Sequence, residues 1–96
     1  MEFTHEQEMY LIEKFKESAR KNYIRAEREL KENKDGFAVS RCKGIWLKND
    51  EIEDLFEQIF EKSLSSFYVS EAFREIGDLS DKAYECYYKA REMYGE

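Results

Sequence analysis

Few residues of this 96-residue chain have the type and spacing that chemistry needs. There is one histidine, His5. With Glu2 it makes the Glu-x-x-His spacing of di-iron bundles, but those sites need two such pairs and further carboxylates from other helices. The pair also straddles the start of the first predicted helix. The two cysteines, Cys42 and Cys86, belong to no CxxC motif. A closed zinc site needs four donors, and one histidine with two thiols falls short. A cysteine nucleophile needs a base in reach, and nothing in the sequence brings His5 to either thiol. The glycines stand alone at 36, 44, 77 and 95, so no phosphate-cradling loop is present. We therefore expect no catalytic residue, no metal and no cofactor. The thiols are expected to be free and to act as small hydrophobes in a reducing compartment.

Carboxylates are plentiful, so pairing alone says nothing about acid–base catalysis, but their placement says more. Residues 49 to 64 hold six acids and one lysine. Asp50, Asp54, Glu57 and Glu61 follow steps of four, three and four, which lines them along one helical face. They are either acids favoured by a helix N-terminus together with a wet face, or a negative stripe that docks on a basic partner or imitates a run of phosphates. Residues 34 to 48 have the opposite sign: Lys34, Arg41, Lys43 and Lys48 stand against Asp35 alone. With Trp46 as a stacking ring this segment could touch a nucleic acid. Four charges are few for a phosphate backbone, and the adjoining acids repel it. Nucleic-acid binding is therefore the alternative, beside charge pairing of the basic segment with the acidic stripe, within the chain or between copies.

Seven tyrosines, seven phenylalanines and one tryptophan exceed what one small core needs. Tyr10 and Ile24 fall off the main stripe of the first helix. Tyr84, Tyr88 and Arg91 fall beside the inner stripe of the last. Tyrosine and arginine are frequent interface hot spots, although tyrosine rings also cover core edges with their hydroxyls in water.

The elements that position these residues are read as helices. Charged residues make up 40%, hydrophobic residues 42%, and proline is absent, which disfavours both disorder and a turn-rich sandwich. Thr4 and Gln7 form a capping box. Met9, Ile12, Phe15, Ala19, Tyr23, Ala26 and Leu30 then recur at steps of three and four. Lys14, Lys21, Arg25 and Arg28 lie opposite. The pattern predicts a helix to about Asn33, roughly 43 Å long, stopped by Asn33-Lys34-Asp35-Gly36 with the glycine free to cap in the left-handed region.

Residues 37 to 48 read two ways. Phe37-Ala38-Val39 and Ile45-Trp46-Leu47 could pair as a hairpin. Alternatively Ala38, Cys42, Ile45, Asn49, Ile52, Phe56 and Ile59 keep one helical register, which is favoured. Gly44 inside a helix and a second capping box at Asp50 and Glu53 point to a break or kink between Gly44 and Asp50. The helix from Asp50 is expected to run to about Leu64. A short helix around Phe67–Ile76 then ends at Gly77, and Ser80 caps a last helix with Ala83, Tyr87, Ala90 and Tyr94 inward and Gly95 at its end.

Residues 67–94 resemble a single tetratricopeptide repeat unit. Ala72-Phe73 stand where that family has a small residue beside an aromatic. Gly77-Asp78 match its turn, and Ala83, Tyr87 and Ala90 match the stripe of its second helix. The turn is one residue longer than the family's, the closing proline is missing, and no second copy follows. The resemblance implies helix-hairpin packing over under a third of the chain, without the concave groove that several repeats build.

The expected fold is all-α, a single helical domain over residues 1–96. It is a long antiparallel helical hairpin with a shorter C-terminal helix pair, forming a small helical bundle. No stretch is long and apolar enough to span a membrane, and the acidic N-terminus is not a signal peptide. The expected function is a small acidic cytoplasmic protein-interaction or regulatory module without catalysis, of bacterial or phage type. It would touch a protein partner through Asp50, Asp54, Glu57, Glu61, Tyr84, Tyr88 and Arg91. A thin bundle with exposed apolar strips also suggests a homodimer.

Overall fold

A computed structural model describes residues 3–32 and 36–95. The described residues form a small all-α bundle of three helices, α1 (His5–Glu32), α2 (Phe37–Ile59) and α3 (Phe67–Tyr94), with a 3₁₀ turn at Glu61–Ser63. No strand occurs among the described residues. The helices run up, down and up. Ring or side-chain contacts pair Phe15 with Phe56 and Asn22 with Asn49 across α1–α2, and Trp46 with Tyr84 and Phe56 with Phe73 across α2–α3. Glu13 meets Tyr68 and Lys16 meets Glu75 across α1–α3. The outer two helices are therefore parallel, and the start of α1 and the end of α3 lie at opposite poles of a body 46 Å long.

α1 begins as its sequence requires. The Thr4 amide donates to the Gln7 side chain at 2.9 Å, and the Gln7 amide donates to the Thr4 hydroxyl at 3.1 Å. Two otherwise unpaired backbone donors are thereby satisfied. Ile12, Ala19 and Ala26 face inward, fully buried. The small alanines let neighbouring helices approach closely. The stop at Asn33-Lys34-Asp35 lies outside the described residues. Gly36 is not left-handed: it sits at φ −63°, ψ −22° and leads into α2.

α2 is one unbroken helix, so the hairpin reading of 37–48 and the break after Gly44 are both set aside. A single glycine costs a helix about 1 kcal/mol. Burial of Val39, Cys42 and Ile45 before the proposed break, and of Phe56 after it, outweighs that cost, because each large apolar side chain contributes about 1.5–3 kcal/mol. The helix ends at Ile59 rather than near Leu64, and Phe60 turns the chain into the 3₁₀ segment with its amide on the Phe56 carbonyl at 2.9 Å.

The expected C-terminal helix pair is instead the single helix α3. Val69, Ala72, Ile76, Leu79, Ala83, Cys86 and Ala90 are buried at steps of three and four straight through Gly77 and Ser80. Gly77 forms no turn. It makes room for the Glu53 side chain of α2, whose Oε2 lies 3.0 Å from where a Cβ would stand. Ser80 caps nothing: it is buried and donates its hydroxyl to Asp50 at 3.2 Å. Gly95 ends the helix at φ +73°, where glycine alone is unstrained.

The core has two apolar layers. Ile12, Ala19, Phe56, Phe60, Val69, Ala72, Ile76 and Leu79 form one. Ala26, Val39, Cys42, Ile45, Cys86, Tyr87 and Ala90 form the other. Buried Asn49 is tied to the first of them. Its amide donates to the carbonyls of Ala19 (3.1 Å) and Leu79 (3.5 Å), and its carbonyl accepts from Asn22 at 2.9 Å.

Candidate functional site

The seam between α2 and α3 gathers most of the residues that the sequence marked for binding. Antiparallel packing brings successive turns of α2 opposite successive turns of α3. At the upper end Trp46 stacks on Tyr87, with centroids 5.6 Å apart and planes 9° apart, and meets Tyr84 edge-on at 4.8 Å. Arg91 lies 5.6 Å over the Tyr87 ring. Tyr84 remains 40% exposed and Tyr88 50% exposed. One turn below Trp46 and Tyr84 come Asp50 and Ser80, joined by their hydrogen bond. The next turn brings Glu53 against Gly77.

Glu53 is the electrostatic centre of this seam. Burial pushes its carboxyl pKa up, and the negative charges of Asp50, Asp81, Asp54 and Glu57 push it further. Three of the four acids predicted to form a stripe, Asp50, Asp54 and Glu57, thus act on one spot together with Asp81 from α3. Glu61 does not continue the stripe. It lies in the 3₁₀ turn beyond the helix end and lines a cleft with Phe3, Glu8 and Ile59. In the sequence Glu53 reads as the partner of Asp50 in a capping box rather than as part of the stripe; α2 runs unbroken through both, so no cap forms there, and Asp81 lies 28 places further along the chain.

The residues of the nucleic-acid alternative do not share one surface. Trp46 is half-buried and stacked within the seam. Arg41 and Lys48 line a different groove, between α1 and α2, where Arg41 is bound to Glu29. Lys43 is exposed and lines neither, and Lys34 lies outside the described residues.

The cysteines sit in one core layer. Burial pushes the Cys42 thiol up to about 11, with the nearby Cys86 adding to it, and the thiol donates to the Ala26 carbonyl at 3.7 Å. Burial raises Cys86 as well, followed by the charge of Glu27. Both are protonated at neutral pH, a state suited to packing rather than to nucleophilic attack. His5 is exposed on the first turn of α1. Among the described residues no three of His, Cys, Asp or Glu gather closely enough to hold a metal ion.

No family model, curated protein or solved structure matches the chain. Among the described residues no helix is long and apolar enough to cross a membrane.

Proposed function

We propose that this chain is a small, non-catalytic, cytoplasmic interaction module that docks a basic protein partner along the α2–α3 seam. One observation carries the reading: half-exposed rings and clustered carboxylates adjoin on successive turns of the same two helices. Tyr84 and Tyr88 offer apolar area with a polar tip at low entropic cost, and Trp46 and Tyr87 buttress Tyr84. Asp50, Glu53, Asp54, Glu57 and Asp81 supply a negative field that steers a cationic surface and fixes its register. A basic partner would also relieve the mutual repulsion that Glu53 suffers.

Affinity capture from the native host tests the reading with three baits: the native chain, a charge-reversed chain (Asp54→Lys with Glu57→Lys) and Tyr84→Ala with Tyr88→Ala. A partner retained by the native chain and lost from both variants supports it. Retention by both variants sinks it. A monomer–dimer equilibrium abolished by the same substitutions would make a second copy of the chain the partner.

A further inference from the structure

Arg25 and Arg28 of α1 line a groove together with Arg41 and Lys48 of α2 and with Glu29, Gly44 and Ile45. Its volume of about 400 Å³ is in the range of small-molecule sites. Four cations converge there in a chain whose net charge is −6. Glu29 answers one of them. Its side chain, only 14% exposed, is bound to the Arg41 Nε. Arg25, Arg28 and Lys48 have no ion-pair partner among the described residues. Cations gathered around one groove repel each other, so the fold by itself does not favour the arrangement.

Gly44 is an independent observation. Its backbone is ordinary right-handed helix, where glycine is less favourable than alanine. No atom lies within 4 Å of where its Cβ would be. Neither backbone conformation nor close packing requires glycine. What the missing side chain does is keep the groove open at one of its lining positions.

We propose that the α1–α2 groove binds a compact polyphosphate, a di- or triphosphate group. Planar guanidinium groups recognise phosphate oxygens bidentately, and a lysine adds a point charge. Three uncompensated cations suit a multiply charged anion. They sit on two helices about one groove, an arrangement that fits a short polyphosphate better than an extended backbone. Glu29 holds the Arg41 guanidinium in place before the ligand arrives. The site is distinct from the α2–α3 seam and stands or falls without it.

Calorimetric titration with inorganic tripolyphosphate and with a nucleoside triphosphate, at roughly 10 mM and roughly 150 mM salt, tests the proposal. The expected result is saturable one-to-one binding, weaker at the higher salt, with a shift of the Gly44 amide resonance. Gly44→Leu fills the groove and keeps every charge, and should weaken binding about tenfold or more. Arg28→Gln should weaken it about as much, while Lys62→Gln, near the opposite pole, leaves it unchanged. Equal affinity for the two ligands assigns recognition to the phosphates alone. Tighter nucleotide binding gives the nucleoside a share. Either result supports the groove. If Gly44→Leu does not fold, Arg25→Gln with Arg28→Gln decides, since both side chains are exposed. No saturable binding at low salt overturns the proposal. So does an affinity indifferent to Gly44→Leu in a folded protein, because the ligand would then only be adsorbing to surface charge.

Discussion

The side chain of Asn22 on α1 donates to the side chain of Asn49 on α2 at 2.9 Å, and through Asn49 it is joined to α3. A buried amide costs several kcal/mol if unpaired and little if satisfied. Here every polar atom is satisfied: no buried side-chain nitrogen or oxygen among the described residues lacks a partner. A slide of one helix turn would misalign alanines and rings, since both apolar layers mix Ala with Phe or Tyr. The three contacts of Asn49 do not survive such a slide, so the pair fixes the mutual register of the three helices.

Asn22→Ala should lower stability by about 1–3 kcal/mol, because it leaves the buried Asn49 oxygen without a donor. Asn49→Ala should cost at least as much, since it also opens a cavity. In a double-mutant cycle the two losses should fall short of additive by about 1 kcal/mol. Denaturant unfolding of the four proteins checks this, and strict additivity would show that the hydrogen bond contributes nothing.

The two mid-helix glycines should respond differently to alanine. Gly44→Ala meets open space and should raise stability by about 1 kcal/mol, the ordinary helix-propensity gain. Gly77→Ala brings a methyl to 3.0 Å of Glu53 Oε2, so the carboxylate must swing aside and the gain should be smaller. Thermal melts of both variants check the order.

Acidic groups act on stability in opposite directions. The folded pKa of Glu53 is raised, so the folded state holds that proton more tightly than the unfolded chain does. Its penalty is full above the folded value and lifts as pH falls through it. Burial would also raise Glu75, but its hydrogen bonds and attractions to Lys16 and Arg20 outweigh burial and lower it. Its contribution is present above the unfolded value and is lost as pH falls through the folded one. Glu53→Gln should therefore raise the melting temperature at pH 7 and lose that advantage in acid. Glu75→Gln should lower stability at pH 7 by less than about 1 kcal/mol, the scale of an exposed pair, with no difference left in acid. Melting curves across the acid range check both signs.

Neither thiol should react quickly in the folded protein. Ellman's reagent at mildly alkaline pH should show negligible fast reaction, and then titrate both Cys42 and Cys86 once denaturant is added. Rapid native reaction at Cys42 would contradict its burial and its pKa near 11.

Local signals carried the helices well where local physics decides them. The Thr4–Gln7 box marked the start of α1, and seven positions in one register marked α2 as helical. They failed where a residue serves a distant neighbour. Gly77 and Ser80 resemble a stop and a cap. Their roles are set by Glu53 and Asp50, which meet them only once α2 lies antiparallel to α3. Asn49 stood in an otherwise apolar register, and a polar residue at such a position was the available sign of a buried amide. The split between acidic and basic sites was visible in the composition of segments. The joining of Trp46 to Tyr84, and of Arg25 and Arg28 to Arg41, required the packing of separate helices.

The parallel course of α1 and α3 makes the molecule a natural ruler. Fluorophores placed at Thr4 and Gly95 would sit at opposite poles, roughly 40 Å apart if each helix rises 1.5 Å per residue. Energy transfer between them would report separately on the two ways of coming apart. Detachment of α3 as an intact rod changes the separation as the rod swings. Fraying from its C-terminal end broadens the distribution of separations while its mean stays near the native value.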